Sequence, residues 1–352
     1  MTKFNITKSV LTILTVLFIH FTTVYAQNAT TFAGSADMYY KYDFSKYDNS
    51  YTSFTSSHNS FQLGMASIEA SHKMGKASVF ADLGFGTTAA QFSYNEATAN
   101  DSTATFLIKQ LYVTYEFTPK FKITAGSFPT HIGYELVDAV DNKNYSMSYA
   151  FSFGPFFNTG IKAQYTTGKY SFMAGVTNPT DFKSAIEAGS NQKTVIAQAA
   201  YVGETGSAYL NFTSGSNNSS STTDKTQFDF VGTKVLNDKF SLGFNGTYSL
   251  VTHDFDSNLD GEWFSLVGYA SYIVKPNLTL AYRLEYFDDK DGVLSFPTKT
   301  NVVGNTLSLN IKEGNLTFIP EIRVDTSSKD IFTDGNPTNT SVFALLGATY
   351  SF

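Results

Sequence analysis

The chain is 352 residues long, with 15% charged residues, 16% aromatics and no Cys, against about 25% charge in an average soluble domain. That shortage of charge argues against a soluble enzyme, and the 42% hydrophobic residues are dispersed in small doses among polar ones, which argues against a bundle of membrane helices. A formal charge of −6 with only two Arg, Arg283 and Arg323, leaves no basic footprint for nucleic acid.

The chain opens with Lys3 and Lys8, an apolar run over 10–21, and Val24-Tyr25-Ala26. This is the layout of a secretory signal peptide, and the run is too short to span a bilayer as a helix. Residues 1–26 are expected to be cleaved, and the loss of two Lys and no acid takes the charge from −6 to −8. An exported chain without Cys must draw its rigidity from backbone hydrogen bonding and packing.

Over residues 32–44 the even positions carry Phe32, Met38, Tyr40, Tyr42 and Phe44, while the odd positions carry Asp37, Lys41 and Asp43. Alternation this long exceeds the usual strand of a globular protein and suits a tilted strand crossing a membrane. Over 61–70 the apolar parity slips from odd (Phe61, Leu63, Met65) to even (Ala66, Ile68, Ala70), which predicts a bulge. Alternation returns at 240–250 and at 278–287, where Arg283, Glu285 and Phe287 oppose Tyr282, Leu284 and Tyr286. Pro320 interrupts the run 316–325 and predicts a second bulge, because it has no N–H for a ladder. The last run, 340–352, alternates to a terminal Phe352.

Short polar turns at 72–76, 118–120, 166–169, 203–205, 236–239, 275–277 and 312–315 interleave with long connections at 45–58, 87–103, 128–158, 178–192, 214–225, 252–261, 288–300 and 326–339. Seven turns and eight loops make about sixteen strands, with fourteen or eighteen as alternatives. The fold expected is all-β, a transmembrane antiparallel up-and-down β-barrel with long extracellular loops and short periplasmic turns. Closure suits a membrane, because lipid offers no partner to an open sheet edge. Tyr39, Tyr40, Tyr42, Tyr112, Tyr115, Tyr282, Tyr286, Phe287, Tyr350 and Phe352 read as interfacial girdles.

Sixteen strands leave an aqueous lumen. The residues expected to line it are Asp37, Lys41, Asp43, Lys122, Lys162, Arg283, Glu285, Glu321, Arg323 and Asp325. They could polarise the pore, or they could form a salt-bridge ladder holding the wall round. The connection 128–158 holds too many aromatics for a free surface loop. It is expected to fold inward as a constriction carrying Phe128, His131, Tyr134, Glu135 and Tyr145, the alternative being an extra pair of short strands.

Catalysis is not expected. The four His beyond residue 26, at 58, 72, 131 and 253, are not framed by a nucleophile motif, and neither metal-ligand spacing nor a phosphate-cradling loop is present, so no cofactor is expected.

The stretch Gly126-Ser127-Phe128-Pro129-Thr130-His131-Ile132-Gly133-Tyr134-Glu135, then 141–146, then 154–165 with Thr159-Gly160, resembles the central signature of the OmpL-like β-barrel porin family. Residues 282–289 (Tyr-Arg-Leu-Glu-Tyr-Phe-Asp-Asp) and 320–325 (Pro-Glu-Ile-Arg-Val-Asp) resemble its C-terminal pair of motifs. The resemblance implies a diffusion porin of the bacterial outer membrane, with Pro320 part of the motif, and supplies no substrate residues. The expected function is a water-filled channel for passive diffusion of small hydrophilic solutes. Its expected surroundings are outer-membrane lipid and lipopolysaccharide, with the protein as a homotrimer or a monomer. The alternative is a surface-exposed barrel acting as an adhesin or partner-binding protein through its long loops. The charge of −8 suggests weak cation preference.

Overall fold

The computed structural model describes residues 29–95, 107–184, 192–216 and 223–352. The expected signal peptide lies outside the described residues. The first strands are β1 (Thr31–Asp43), β2 (Ser60–Met74), β3 (Ala77–Phe85), β4 (Ile108–Thr118), β5 (Phe121–Pro129), β6 (Phe157–Thr167), β7 (Tyr170–Thr177) and β8 (Thr194–Val202). They continue as β9 (Gly206–Ser216), β10 (Thr223–Asn237), β11 (Phe240–His253), β12 (Gly261–Lys275), β13 (Leu278–Asp289), β14 (Thr300–Glu313) and β15 (Leu316–Ser327). A two-residue ribbon of β16 (Phe332–Thr333) and β17 (Pro337–Thr338) precedes β18 (Thr340–Ser351).

Sixteen of these strands, all but the ribbon, close one antiparallel barrel in sequence order, with β1 paired to β18. The count of sixteen holds against fourteen and eighteen. At the seam the Gly34 and Phe352 main chains exchange hydrogen bonds of 3.1 and 3.0 Å, so the ring has no free edge. Tight turns gather at one end, where Gly75, Gly168 and Gly314 supply positive φ, as two-residue hairpins demand. The long loops gather at the other end.

The period-two pattern translates directly into an outside and an inside. Phe32 is 71% exposed and Leu210 61%, part of an apolar belt around the outer wall, while Lys41 on the opposite face of β1 is fully buried. The parity slip in β2 is a bulge: Ala36 pairs with Ala66 but Met38 with Leu63, and the Met65 N–H donates to the Asp37 carboxylate at 3.0 Å.

Pro320 does not produce the second bulge. The β14–β15 register is the same at Ser308↔Glu321 and Ile311↔Phe318, with the pairs between them absent, while on its other side Pro320 pairs with Leu346. The ladder lapses where the N–H is missing without inserting a residue.

The girdle expectation also needs correction. Tyr40, Tyr115, Tyr282, Tyr350 and Phe352 lie on the outer face, but Tyr39 is buried against Tyr145 and Tyr112 stacks on Phe80. Phe287 is buried in a cluster with Trp263, Tyr149 and Phe296. Their neighbours in sequence face lipid, and period two sends these three inward. A second inner cluster joins Phe54, Phe92, Met147, Phe156 and Phe157, with Phe92 coming from the short helix α1 (Thr87–Phe92).

Candidate functional site

Between β5 and β6 the chain forms no extra strands. It makes a 3-10 turn at Ala139–Asp141 and one helical turn, α2 (Tyr149–Ser152), whose start is capped by the Ser148 hydroxyl accepting from the Phe151 N–H. This segment hydrogen-bonds to strands all around the ring, so its polar backbone is satisfied inside the barrel and not by bulk water.

The entry is fixed on β9–β11. The His131 Nε2 lies 2.9 Å from the Phe212 carbonyl; burial holds the imidazole down at about 4, so the neutral ring donates from Nε2. Gly133 N–H donates to Asp229 at 3.1 Å and Tyr134 N–H to the Asn245 side chain at 3.3 Å. The Tyr134 ring stacks on Tyr269 with centroids 4.1 Å apart. It fits because Gly243 lacks a side chain: a Cβ there would come within 2.6 Å of the ring.

The middle is held by carboxylates and guanidinium groups from β13 and β15. Arg283 donates to Glu135 and to the Ser146 carbonyl, each at 2.6 Å, and to the Thr306 hydroxyl at 3.0 Å. The other Glu135 oxygen accepts from the Ser148 N–H and hydroxyl, both at 2.8 Å. Glu321 accepts from the Tyr145 N–H at 2.7 Å, the Ser146 N–H at 3.2 Å and the Ser308 hydroxyl at 2.8 Å. Glu285 accepts from the Tyr149 and Ala150 N–H groups at 2.9 and 2.8 Å and from Ser265 at 3.1 Å. Arg323 donates to Asp325 at 2.8 Å and to the Met147 carbonyl at 2.6 Å, while the Tyr149 hydroxyl donates to the other Asp325 oxygen at 2.8 Å.

Tyr145 completes the hold by donating its hydroxyl to Asp37, with its ring over Gly347, where a Cβ would meet it at 2.3 Å. On the adjacent wall, β2 to β4, Asp138 receives Lys109 at 2.8 Å and Ser67 at 2.8 Å, and Lys109 also reaches Asp82 at 3.0 Å.

The ten residues expected along the channel therefore divide. Arg283, Glu285, Glu321, Arg323 and Asp325 are at most 5% exposed: they face inward, yet the loop covers them, so they bind its backbone and are not bathed by the channel. Asp37 is shared between Tyr145 and Met65. Lys41 and Asp43 are also covered, near the long-loop end. Lys41 donates to the Thr55 carbonyl at 3.0 Å and lies over the Phe343 ring, and Asp43 caps Ser45. Only Lys122 and Lys162 face open space, a polar cavity of about 390 Å³.

Phe128 is buried with Met173 and Ile196. Asp229, Asn245, Asp138, Asp82, Gly243 and Gly347 also take part; the two glycines sit at inward parity, the one sequence signal that something large approaches the wall there.

What remains open is a space of about 710 Å³ between residues 129–143 and the inner faces of β2–β4 and β8–β10, with Glu69, Gln110, Gln198 and Asn211 among its lining. These polar groups stand in a lining that is otherwise largely apolar, and the fixed loop beside it narrows the lumen. Among the described residues no group of three or more His, Cys, Asp or Glu is placed to hold a metal ion.

Solved structures share the architecture. The anion-selective porin from Comamonas acidovorans aligns with a TM-score of 0.61 at 12% identity, over 92% of this chain and 99% of that one. OprB of Pseudomonas putida aligns with a TM-score of 0.61 at 10% identity, over 92% and 94%. OmpT of Vibrio cholerae in its trimer form gives 0.59 at 11%, over 92% and 99%. No curated protein sequence matches the chain. The family model described as "Putative beta-barrel porin-2, OmpL-like" matches residues 29–352, and on that match this chain belongs to the OmpL-like β-barrel porin family of the outer membrane.

Proposed function

We propose that this porin passes small hydrophilic solutes by passive diffusion, through the space between its inward loop and the β2–β4 and β8–β10 walls. The observation that carries the reading is the loop itself. Buried ionic groups hold it inside a sixteen-strand ring beside about 710 Å³ of open space, which suits a size filter better than a plug. Phe128, His131, Tyr134, Glu135 and Tyr145 act by holding and shaping this constriction, and Lys122 and Lys162 act at the channel surface. Residues 1–26 serve as the export signal, lipid and lipopolysaccharide surround the apolar belt, and no catalysis is assigned. The trimer form of the V. cholerae protein favours a homotrimer.

Purified protein in planar bilayers should give stepwise conductance and should let small sugars swell liposomes. Deleting residues 136–148 should raise the conductance. Absence of both steps and swelling would refute the channel and leave the loop-mediated binding role; a deletion with unchanged conductance would refute the constriction.

A further inference from the structure

We propose that the inner wall of β3–β6 carries a binding site for aromatic carboxylates, on which solutes pause between the periplasmic mouth and the loop. The inference rests on the channel reading above. Strand register lays out the site in rungs. One rung places Phe80 beside Tyr112, then Gly126, then Gly160; the next, toward the periplasm, places Ser78, Thr114, Thr124 and Lys162 side by side; below that stand Glu116, Lys122 and Gln164. All of these but the two glycines line the same 390 Å³ cavity.

Two features give the cavity its chemistry. First, its positive charge is in excess: Lys73, Lys122 and Lys162 line it against the single carboxylate of Glu116. Glu116 pairs with Lys73 at 2.8 Å and stands across the ladder from Lys122, and Lys162 makes no ion pair among the described residues. The Lys162 ammonium instead rests 4.0 Å from the centre of the Phe128 ring, a weak substitute for an anion. Second, Phe80 and Tyr112 stack with centroids 5.3 Å apart and planes 27° from parallel.

An aromatic carboxylate satisfies both features at once, its ring on the aromatic pair and its carboxylate between the two ammonium groups. Glu69 and Asp82 stand one inward rung above the rings; Asp82 pairs with Lys109, whereas Glu69 makes no ion pair among the described residues, so its charge turns the carboxylate toward the lysines. A small anion lacks the ring contact, and a neutral aromatic lacks the ionic one.

The test is single-channel current of the full-length protein in planar bilayers in potassium chloride. Millimolar benzoate is expected to reduce the current, while acetate and benzyl alcohol at the same concentration leave it unchanged. Lys122→Gln/Lys162→Gln should weaken the benzoate block about tenfold, the factor that corresponds to about 1.4 kcal/mol, and Lys122→Arg/Lys162→Arg should retain it. Lys122→Gln alone, at the cavity rim, carries the same test if the double variant does not fold. Equal block by acetate and benzoate, or full block in the Gln variants, overturns the proposal. A wild-type protein that opens no channel refutes the porin reading, whereas open channels indifferent to benzoate refute only this inference.

Discussion

Removing the two carboxylates that hold the middle of the loop, in Glu285→Ala/Glu321→Ala, is expected to release residues 143–150 into the lumen. Together they accept four loop N–H groups, from Tyr145, Ser146, Tyr149 and Ala150. A hydrogen bond to a charged acceptor contributes about 1.5–3 kcal/mol, so the four contribute about 6–12 kcal/mol. Fixing a backbone costs about 1–2 kcal/mol per residue, or about 8–16 kcal/mol over this stretch. The two sums are of the same size, so the contacts left at Arg283, Arg323, Asp37, Asp325 and Glu135 are expected to be too few to keep the stretch in place. A single Ala variant loses half of the hold and should remain docked. The assay is single-channel conductance together with heat-modifiable gel mobility. The double variant should show higher conductance and more open-channel noise with the mobility of a folded barrel, and each single variant should stay near wild type. A folded double variant with wild-type conductance and noise would refute the reasoning.

Gly347→Val places a side chain where the Tyr145 ring lies; conductance should rise as Tyr145 leaves Asp37, and unchanged conductance would count against the socket. Deleting Tyr350, Ser351 and Phe352 removes both main-chain bonds between Phe352 and Gly34, worth about 2 kcal/mol, so the urea midpoint for refolding should fall. An unaltered midpoint would mean that the seam does not depend on them. In the loop after β7, Asp181 is buried where it accepts from the Phe156 and Phe157 N–H groups at 2.7 and 3.0 Å, and burial pushes its carboxyl up to about 6 from 3.8. The folded state then binds the proton more tightly than the unfolded one, so loop stability is highest at acid pH and is lost as pH rises from about 4 through about 6. Proteolysis in the long loops, scaled to an unfolded control, should be faster at about pH 7.5 than at about pH 5, and Asp181→Asn should abolish the difference. Equal rates in the unmodified protein would refute the linkage.

Strand number, turn placement and the β2 bulge were legible in the sequence because each is a local signal: parity within a run, or a polar break between runs. Parity also assigned Arg283, Glu285, Glu321 and Arg323 to the inner face. It could not say what they meet there, since their partners Ser146, Tyr149, Tyr145 and Met147 lie more than a hundred residues away and join them only when the ring closes. The same limit explains the aromatic misreading. Tyr39 and Tyr112 look like girdle residues beside Tyr40 and Tyr115, and only the pleat separates the lipid-facing ring from the one packed inside. Pro320 predicts a bulge because its missing N–H is visible in the sequence, but whether a ladder answers with an extra residue or a simple lapse depends on the neighbouring strand. Asp181 stood in a loop with no periodicity, so its burial left no trace in the pattern.

Tyr145 sits at an unusual crossing. Its N–H is bound to Glu321 on β15 and its hydroxyl to Asp37 on β1, partners 176 and 108 residues away in the chain, and its ring rests against Gly347 on the strand between them. One side chain from the middle of the sequence thus laces the seam where the first and last strands meet. The loop can take its seat only after β18 has arrived, which makes the narrowed channel a property of the finished ring. Constriction and closure share a residue, so a seated loop implies a completed barrel.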